Sequence, residues 1–215
     1  MAKKRIDKDA YYTPAGAIRS ILPILRGEYG VSEADTVLEP SCGGGNIIHE
    51  VVRGLGIDGD RVTGVDVSDR GFAGIHALHT GVYLCEADFL TWEFGEMAEP
   101  FGLCIGNPPY GDDLPEKFIR RIMAERMAYV TAFLLRLNWL GSQKRSELHR
   151  ELMPDVYVLS DRPSFTGGGS DGCEYAWFVW TLPGRTYPGR PGPAPRKYGS
   201  IRVLPPYVEQ VGLFG

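Results

Sequence analysis

Phe101-Gly102-Leu103-Cys104-Ile105-Gly106, followed at once by Asn107-Pro108-Pro109-Tyr110, decides how the rest of the chain is read. The first six residues form a short apolar run of the kind that becomes a buried strand. Two consecutive prolines cannot extend a sheet ladder, because neither has a backbone N–H to donate. The strand therefore stops and presents Asn107 at its carboxyl end. In open α/β sheets that end is where ligands bind. The Asn107 side-chain oxygen, the Pro108 carbonyl and the Tyr110 ring are offered there together. Two acceptors beside one flat surface suit a planar molecule carrying an NH₂ group, such as adenine.

Working outward from this turn, strand-like and helix-like segments alternate. Residues 15–29 read as a helix: Thr13 can cap its start, Pro14 fits its first turn, Gly30 follows its end and Pro23 is a source of a kink. Strands are expected at 36–40, 61–67, 82–87 and 103–106, with helices at 47–55 and 70–79. Downstream come a helix at 116–127, a strand at 129–137, a charged helix at 143–152, and strands at 156–160 and 175–182. The alternation predicts an α/β fold: a Rossmann-like, doubly wound, mostly parallel seven-stranded sheet with right-handed crossovers. Only about a dozen residues separate the last two strands, too few for a crossover helix, so this C-terminal pair is expected to run antiparallel. The domain is placed at 1–182. Residues 183–215 read as a basic, Pro- and Gly-rich tail, of which 200–207 could return as a short strand.

The formal net charge of −4 does not advertise a nucleic-acid binder, but it conceals an asymmetry. Arg185, Arg190, Arg196, Lys197 and Arg202 stand against Glu209 alone in the tail, about +4, which leaves about −8 for the rest. Cys42, Cys85, Cys104 and Cys173 are far apart and make no metal spacing; buried thiols in a reducing cytoplasm are the plain reading. No apolar stretch approaches the roughly 20 residues of a membrane span. The basic start leads into Asp7-Lys8-Asp9 and not into a signal-peptide core.

Three further strand ends carry candidate sites. Glu39-Pro40-Ser41-Cys42-Gly43-Gly44-Gly45-Asn46 joins the first strand to its helix, the nucleotide-site position of a doubly wound sheet. The third glycine of the dinucleotide fingerprint is missing, because position 48 is Ile, so a pyrophosphate ligand is disfavoured. Glu39 places a negative charge in the turn that would repel phosphate and favour a cation or an amino group. Asp66 ends the second strand, where a carboxylate accepts from ribose hydroxyls; a helix N-cap explains it equally simply. Asp88 ends the third strand and can accept from an exocyclic amine while Phe89 packs on a base; a turn carboxylate and a core Phe are the plain alternative. His76 and His79 share a helix face at i, i+3, but nothing completes a ligand set, and surface histidines are expected. Phe165 lies beside a glycine run on the side the strand ends face.

These stretches together resemble the class I S-adenosylmethionine-dependent methyltransferases, and within them the amino-methyltransferases acting on adenine N6 of DNA. Tyr11-Tyr12-Thr13-Pro14 resembles the family's first element, and Leu38–Asn46 its glycine motif, both around the methionine part of the cofactor. Gly64-Val65-Asp66 and Ala87-Asp88-Phe89 resemble the ribose and adenine contacts, and Asn107-Pro108-Pro109-Tyr110 the catalytic motif. The resemblance implies S-adenosylmethionine as cofactor, held by Tyr12, Thr13, Pro14, Glu39, Ser41, Gly43, Gly45, Asp66, Asp88, Phe89 and Asn107. It implies Asn107, Pro108 and Tyr110 as the catalytic group, Tyr110 and Phe165 as base contacts, and no metal. DNA is the implied substrate. An RNA adenine methyltransferase, a protein-glutamine methyltransferase and a non-catalytic nucleic-acid-binding subunit are the alternatives. No target-recognition domain is visible in the 215 residues, so relaxed specificity or a partner subunit that supplies recognition is expected.

Overall fold

The computed structural model describes residues 12–95, 99–165, 172–183 and 199–207. In chain order the elements are Ala15–Tyr29 (α1), Val37–Glu39 (β1), Asn46–Leu55 (α2), Val62–Asp66 (β2), Phe72–Leu78 (α3), Tyr83–Glu86 (β3) and Phe101–Gly106 (β4). Leu114–Ala124 (α4), Ala128–Arg136 (β5), Ser146–Glu151 (α5), Asp155–Val158 (β6), Tyr175–Thr181 (β7) and Ile201–Val203 (β8) follow. Among the described residues no helix is long and apolar enough to cross a membrane. All four cysteines are free, with Cys42 and Cys104 buried.

The strands make one sheet in the order β3-β2-β1-β4-β5-β7-β6-β8. β1 pairs in parallel with β2 and β4, β2 with β3, and β4 with β5. β7 runs antiparallel to both β5 and β6, as expected of the C-terminal pair. The expected seven strands become eight, because β8 adds in parallel to β6. The carboxyl ends of β1, β2, β3, β4 and β5 thus share one edge. The antiparallel register Arg136↔Tyr175 brings the start of β7 to the same edge.

Strand periodicity divides the core between the two faces of this sheet. On β5, Val130, Ala132 and Leu134 pack with Ile18 and Leu25 of α1, Val51 of α2 and Trp177. Phe133 and Leu135 face the other way, onto Phe118 and Ile122 of α4, Leu148 of α5 and Trp180. Each fully buried Leu, Ile or Phe contributes about 1.5–3 kcal/mol, so the two-sided packing of β5 and β7 anchors the edge where the site lies. The two tryptophans keep their polar ends satisfied: Trp177 Nε1 donates to the Ala17 carbonyl at 2.8 Å and Trp180 Nε1 to the Leu152 carbonyl at 3.0 Å. α1 continues through Pro23 on its exposed side and ends at Gly30, whose φ of 72° is the left-handed cap that glycine adopts without cost.

β8 is secured by side chains from elements distant in sequence. Arg202 grips Glu28 of α1 with two bonds of 2.6 and 2.5 Å, and its guanidinium carbon lies 4.6 Å from the Tyr157 ring centroid. Asp155 accepts from the Ser200 N–H at 2.7 Å, from the Ser200 hydroxyl at 2.6 Å and from the Tyr29 hydroxyl at 2.8 Å. Arg202 was counted with the tail's positive charge; this pairing neutralises it against α1. Arg185, Arg190, Arg196 and Lys197 lie outside the described residues, as do Glu209 and the glycine run.

Candidate active site

The first candidate element is the turn from β1 into α2. Gly45 has φ of 78°, and a Cβ there would stand 2.4 Å from Ile75 Cγ1, so only glycine fits. The Gly45 N–H donates to the Cys42 carbonyl at 2.7 Å, and the Cys42 N–H to the Val65 carbonyl at 3.0 Å, which ties the turn to β2. Tyr12, 57% exposed, lays its ring over Gly44. Gly43 also has positive φ and opens onto empty space. The Ser41 hydroxyl is buried with no hydrogen-bond partner.

Burial disfavours the negative charge that Glu39 would bring to the turn. Glu39 is 2% exposed, and its Oε2 has no hydrogen-bond partner. Burial pushes its carboxyl well above the usual range; the Ile48 backbone hydrogen bond opposes the shift and the Asp66 charge adds to it. Desolvation favours the neutral acid because a charge removed from water costs more than a hydrogen bond returns. The Cys42 and Cys104 thiols beside it are pushed up for the same reason.

Asp66 is half-buried at the end of β2. Its Oδ2 accepts from the Gly43 N–H at 2.9 Å and its Oδ1 from the Ser68 N–H at 3.1 Å. It therefore braces the glycine turn instead of capping a helix. A carboxylate has about four acceptor positions, so two bonds leave room for two hydroxyls. Asp88 is exposed, and its Oδ1 accepts from the Leu90 N–H at 2.9 Å. Phe89 is 2% exposed, with its ring 4.7 Å from Phe118 and the Arg121 guanidinium 5.2 Å from its centroid. The structure thus brings Asp88 to the open edge and places the Phe89 ring against α4.

The centre of the site is Asn107. Its Nδ2 donates to Thr13 Oγ1 at 3.1 Å, while its Oδ1 accepts from the Tyr110 hydroxyl at 2.5 Å. Thr13 was read as the cap of α1; instead Pro14 is the N-cap residue, and no side chain caps the helix. The Thr13 hydroxyl is taken by Asn107, and its carbonyl accepts from Asn46 Nδ2 at 3.2 Å. One buried residue thereby joins the start of α1, the glycine turn and the Asn-Pro-Pro-Tyr turn. In this arrangement the Asn107 nitrogen faces Thr13 and its oxygen faces Tyr110.

Two residues at this edge escaped the sequence reading. Arg136 ends β5, with its guanidinium carbon 5.3 Å from the Tyr110 ring centroid, and its Nε donates to the Tyr175 hydroxyl at 3.3 Å. The Tyr175 ring lies 6.1 Å from that of Tyr110 and 5.0 Å from that of Phe165. Tyr175 belongs to an apolar strand, reads as core and is 1% exposed; its register with Arg136 brings its hydroxyl to the edge. Of the histidines, His76 is exposed as expected, and His49 Nδ1 lies 2.9 Å from His79 Nε2. His49 and His79 line a cavity of about 250 Å³ beside Gly44, Gly45 and Asn46.

No family model matches the chain. It is 32% identical over 108 residues to the Type II methyltransferase M.CvrRI of Paramecium bursaria Chlorella virus XZ-6E, across 50% of this chain and 26% of that protein. It is 35% identical over 101 residues to the Type II methyltransferase M.TthHB8I of Thermus thermophilus, across 46% of this chain and 20% of that protein. The matched stretches thus span about a quarter or less of the length of these curated relatives. A solved structure from Listeria monocytogenes, described as a class I S-adenosylmethionine-dependent methyltransferase, superposes with a TM-score of 0.71 at 15% identity, over 94% of this chain and 68% of that one.

The chain shares its fold with that structure. On this fold Glu39, Asp66, Asp88 and Asn107 lie at or just beyond the carboxyl ends of β1, β2, β3 and β4, along one edge of the sheet. The residues read as sites divide into two groups there. Tyr12, Thr13, Gly43, Gly45 and Asp66 gather around the glycine turn. Asn107, Pro108 and Tyr110 gather with Arg136, Tyr175 and Phe165.

Proposed function

We propose that the protein transfers a methyl group from S-adenosylmethionine to the N6 amine of adenine in DNA. The observation that carries this reading is the Asn107 carboxamide, held at the end of β4 with its nitrogen on Thr13 and its oxygen on the Tyr110 hydroxyl. The likeness to two Type II methyltransferases supports it.

The residues present fit the cofactor. Gly43 opens onto free space at the turn, the Ser41 hydroxyl nearby in sequence is buried without a hydrogen-bond partner, and Asp66 retains acceptor capacity. The residues that would hold it are Tyr12, Thr13, Gly43, Gly45 and Asp66, with Asp88 at the far end. When bound, the cofactor supplies an electrophilic methyl group on a sulfonium.

The chain's own residues do the rest. An adenine N6 lone pair is delocalised into the ring and attacks poorly. Asn107 Oδ1 and the Pro108 carbonyl accept the two N6–H bonds, which favours a more tetrahedral nitrogen with its lone pair free to attack. These fixed dipoles stabilise positive charge as it develops on that nitrogen. Tyr110 offers a face for the base, which must leave a duplex to arrive. Target selection is relaxed or supplied by a partner subunit.

The test is incubation with methyl-labelled cofactor and separate DNA, RNA and protein substrates. Label should enter DNA as N6-methyladenine, and Asn107→Ala should lower that rate by about 10²–10³ with cofactor binding retained. Preferential labelling of RNA or of protein glutamine would overturn the reading.

A further inference from the structure

We infer that Tyr110, Arg136 and Tyr175 form a latch that holds the Asn107 acceptor closed until a target amine displaces it. The inference rests on the proposed role of Asn107 as that acceptor.

The Tyr110 hydroxyl stands 2.5 Å from Asn107 Oδ1 and 3.2 Å from the Leu134 carbonyl. A phenol has one proton, and both neighbours are carbonyl oxygens. The shorter contact marks Asn107 as its main acceptor. Because Thr13 holds the Asn107 nitrogen, the oxygen that meets Tyr110 is the one an incoming N–H must use. The phenol O–H therefore stands in for the substrate's N–H.

The ring is held as well as the hydroxyl. Arg136 packs its guanidinium 5.3 Å from the ring centroid and is itself anchored to the Tyr175 hydroxyl. The Tyr175 ring lies 42° from the plane of Tyr110 and has Phe165 against it. β5 delivers Leu134 and Arg136 to the same face of the sheet at alternate positions, and β7 delivers Tyr175 opposite Arg136. Arg136 thus acts through Tyr110 and is a positioning residue. A base that reaches Asn107 must turn Tyr110 away from it, and the same ring is then free to stack.

The latch predicts that loosening it eases substrate entry. Tyr110→Phe keeps the ring and removes the competing donor. KM for an adenine-rich single-stranded deoxyoligonucleotide of mixed sequence should fall about two- to tenfold. Arg136→Met should lower KM about two- to fivefold, and Tyr175→Phe should do the same to a smaller extent. The double variant Tyr110→Phe/Arg136→Met should fall short of the product of the two single effects. A KM that is unchanged or raised in Tyr110→Phe overturns the latch. A second arm needs no activity: the Asn107 side-chain ¹⁵N–¹H resonances of the ligand-free protein should shift in Tyr110→Phe, and an absence of shift also overturns it. If wild type methylates no adenine at all, the proposed function fails, and this second arm still decides the latch.

Discussion

Thr13→Val isolates the bond on which the orientation of Asn107 depends. Thr13 is 4% exposed, and its hydroxyl accepts from Asn107 Nδ2 at 3.1 Å. Valine has nearly the same shape but no acceptor. The bond from the Asn46 side-chain amide to the Thr13 carbonyl is untouched, so the start of α2 should stay in place. The loss is one hydrogen bond to a half-buried amide, about 1–2 kcal/mol. In a domain of this size that lowers the melting temperature by roughly 2–8 °C. If the bond also sets which end of the carboxamide faces the substrate, the same energy appears in the transition state as a kcat lowered about 5- to 30-fold. Initial rates of labelled methyl transfer at saturating cofactor measure the second effect, and thermal unfolding followed by circular dichroism measures the first. Thr13→Ser should restore most of both. A folded Thr13→Val protein with kcat within twofold of wild type, or a Thr13→Ser protein as impaired as the valine variant, would refute the orienting role.

Asp66→Ala should weaken cofactor binding by about 1–3 kcal/mol by calorimetry, since a charged acceptor is lost and the Gly43 N–H loses its brace; unchanged affinity removes Asp66 from the site. Glu39 has a native pKa raised by burial, with Asp66, Cys42 and Cys104 around it. Folding therefore retains its proton, and stability should fall as pH rises from the unfolded value of about 4.3 towards the raised native one. Denaturant unfolding of Glu39→Gln should show a flatter pH profile across that window, and an identical slope would exclude Glu39 as its cause. We propose further that the basic tail adds nonspecific affinity for DNA: on charge reversal at Arg190, Arg196 and Lys197 the slope of log K against log salt should lose nearly one unit per phosphate contact removed, whereas an unchanged slope places the contacts elsewhere.

The parallel half of the sheet was legible because its punctuation is local. Gly30 ends a helix, Gly43 and Gly45 supply the positive φ of a turn, and Pro108-Pro109 halts a strand. Each is read within a few residues, and each acts in the fold as chemistry dictates. The carboxyl edge of the parallel strands followed from these stops. What escaped depends on pairs remote in sequence. Arg202 reads as one more charge in a basic tail until Glu28, 174 positions earlier, is seen beneath it. Thr13 has the composition of a helix cap, but the hydroxyl of a cap can be claimed by a stronger neighbour, here Asn107 across 94 residues. Tyr175 sits in a run of apolar residues and looks like core. Only its position as the first residue of an antiparallel strand exposes its hydroxyl to Arg136. Glu39 shows the opposite failure: its identity is plain, but its charge depends on burial, which one sequence does not state.

The manner in which β8 closes the sheet bears on how the chain is made. A ribosome delivers α1 early and residues 201–203 late, so the edge of β6 has no neighbour while most of the domain is already able to fold. An unpaired strand edge invites pairing with another chain. Glu28, Asp155 and Tyr29 meanwhile wait for Ser200 and Arg202. A nascent chain stalled before residue 200 should therefore be the aggregation-prone species in expression. Fusing a soluble carrier ahead of α1 protects it better than a tag at the far end, which emerges only after the exposed interval has passed.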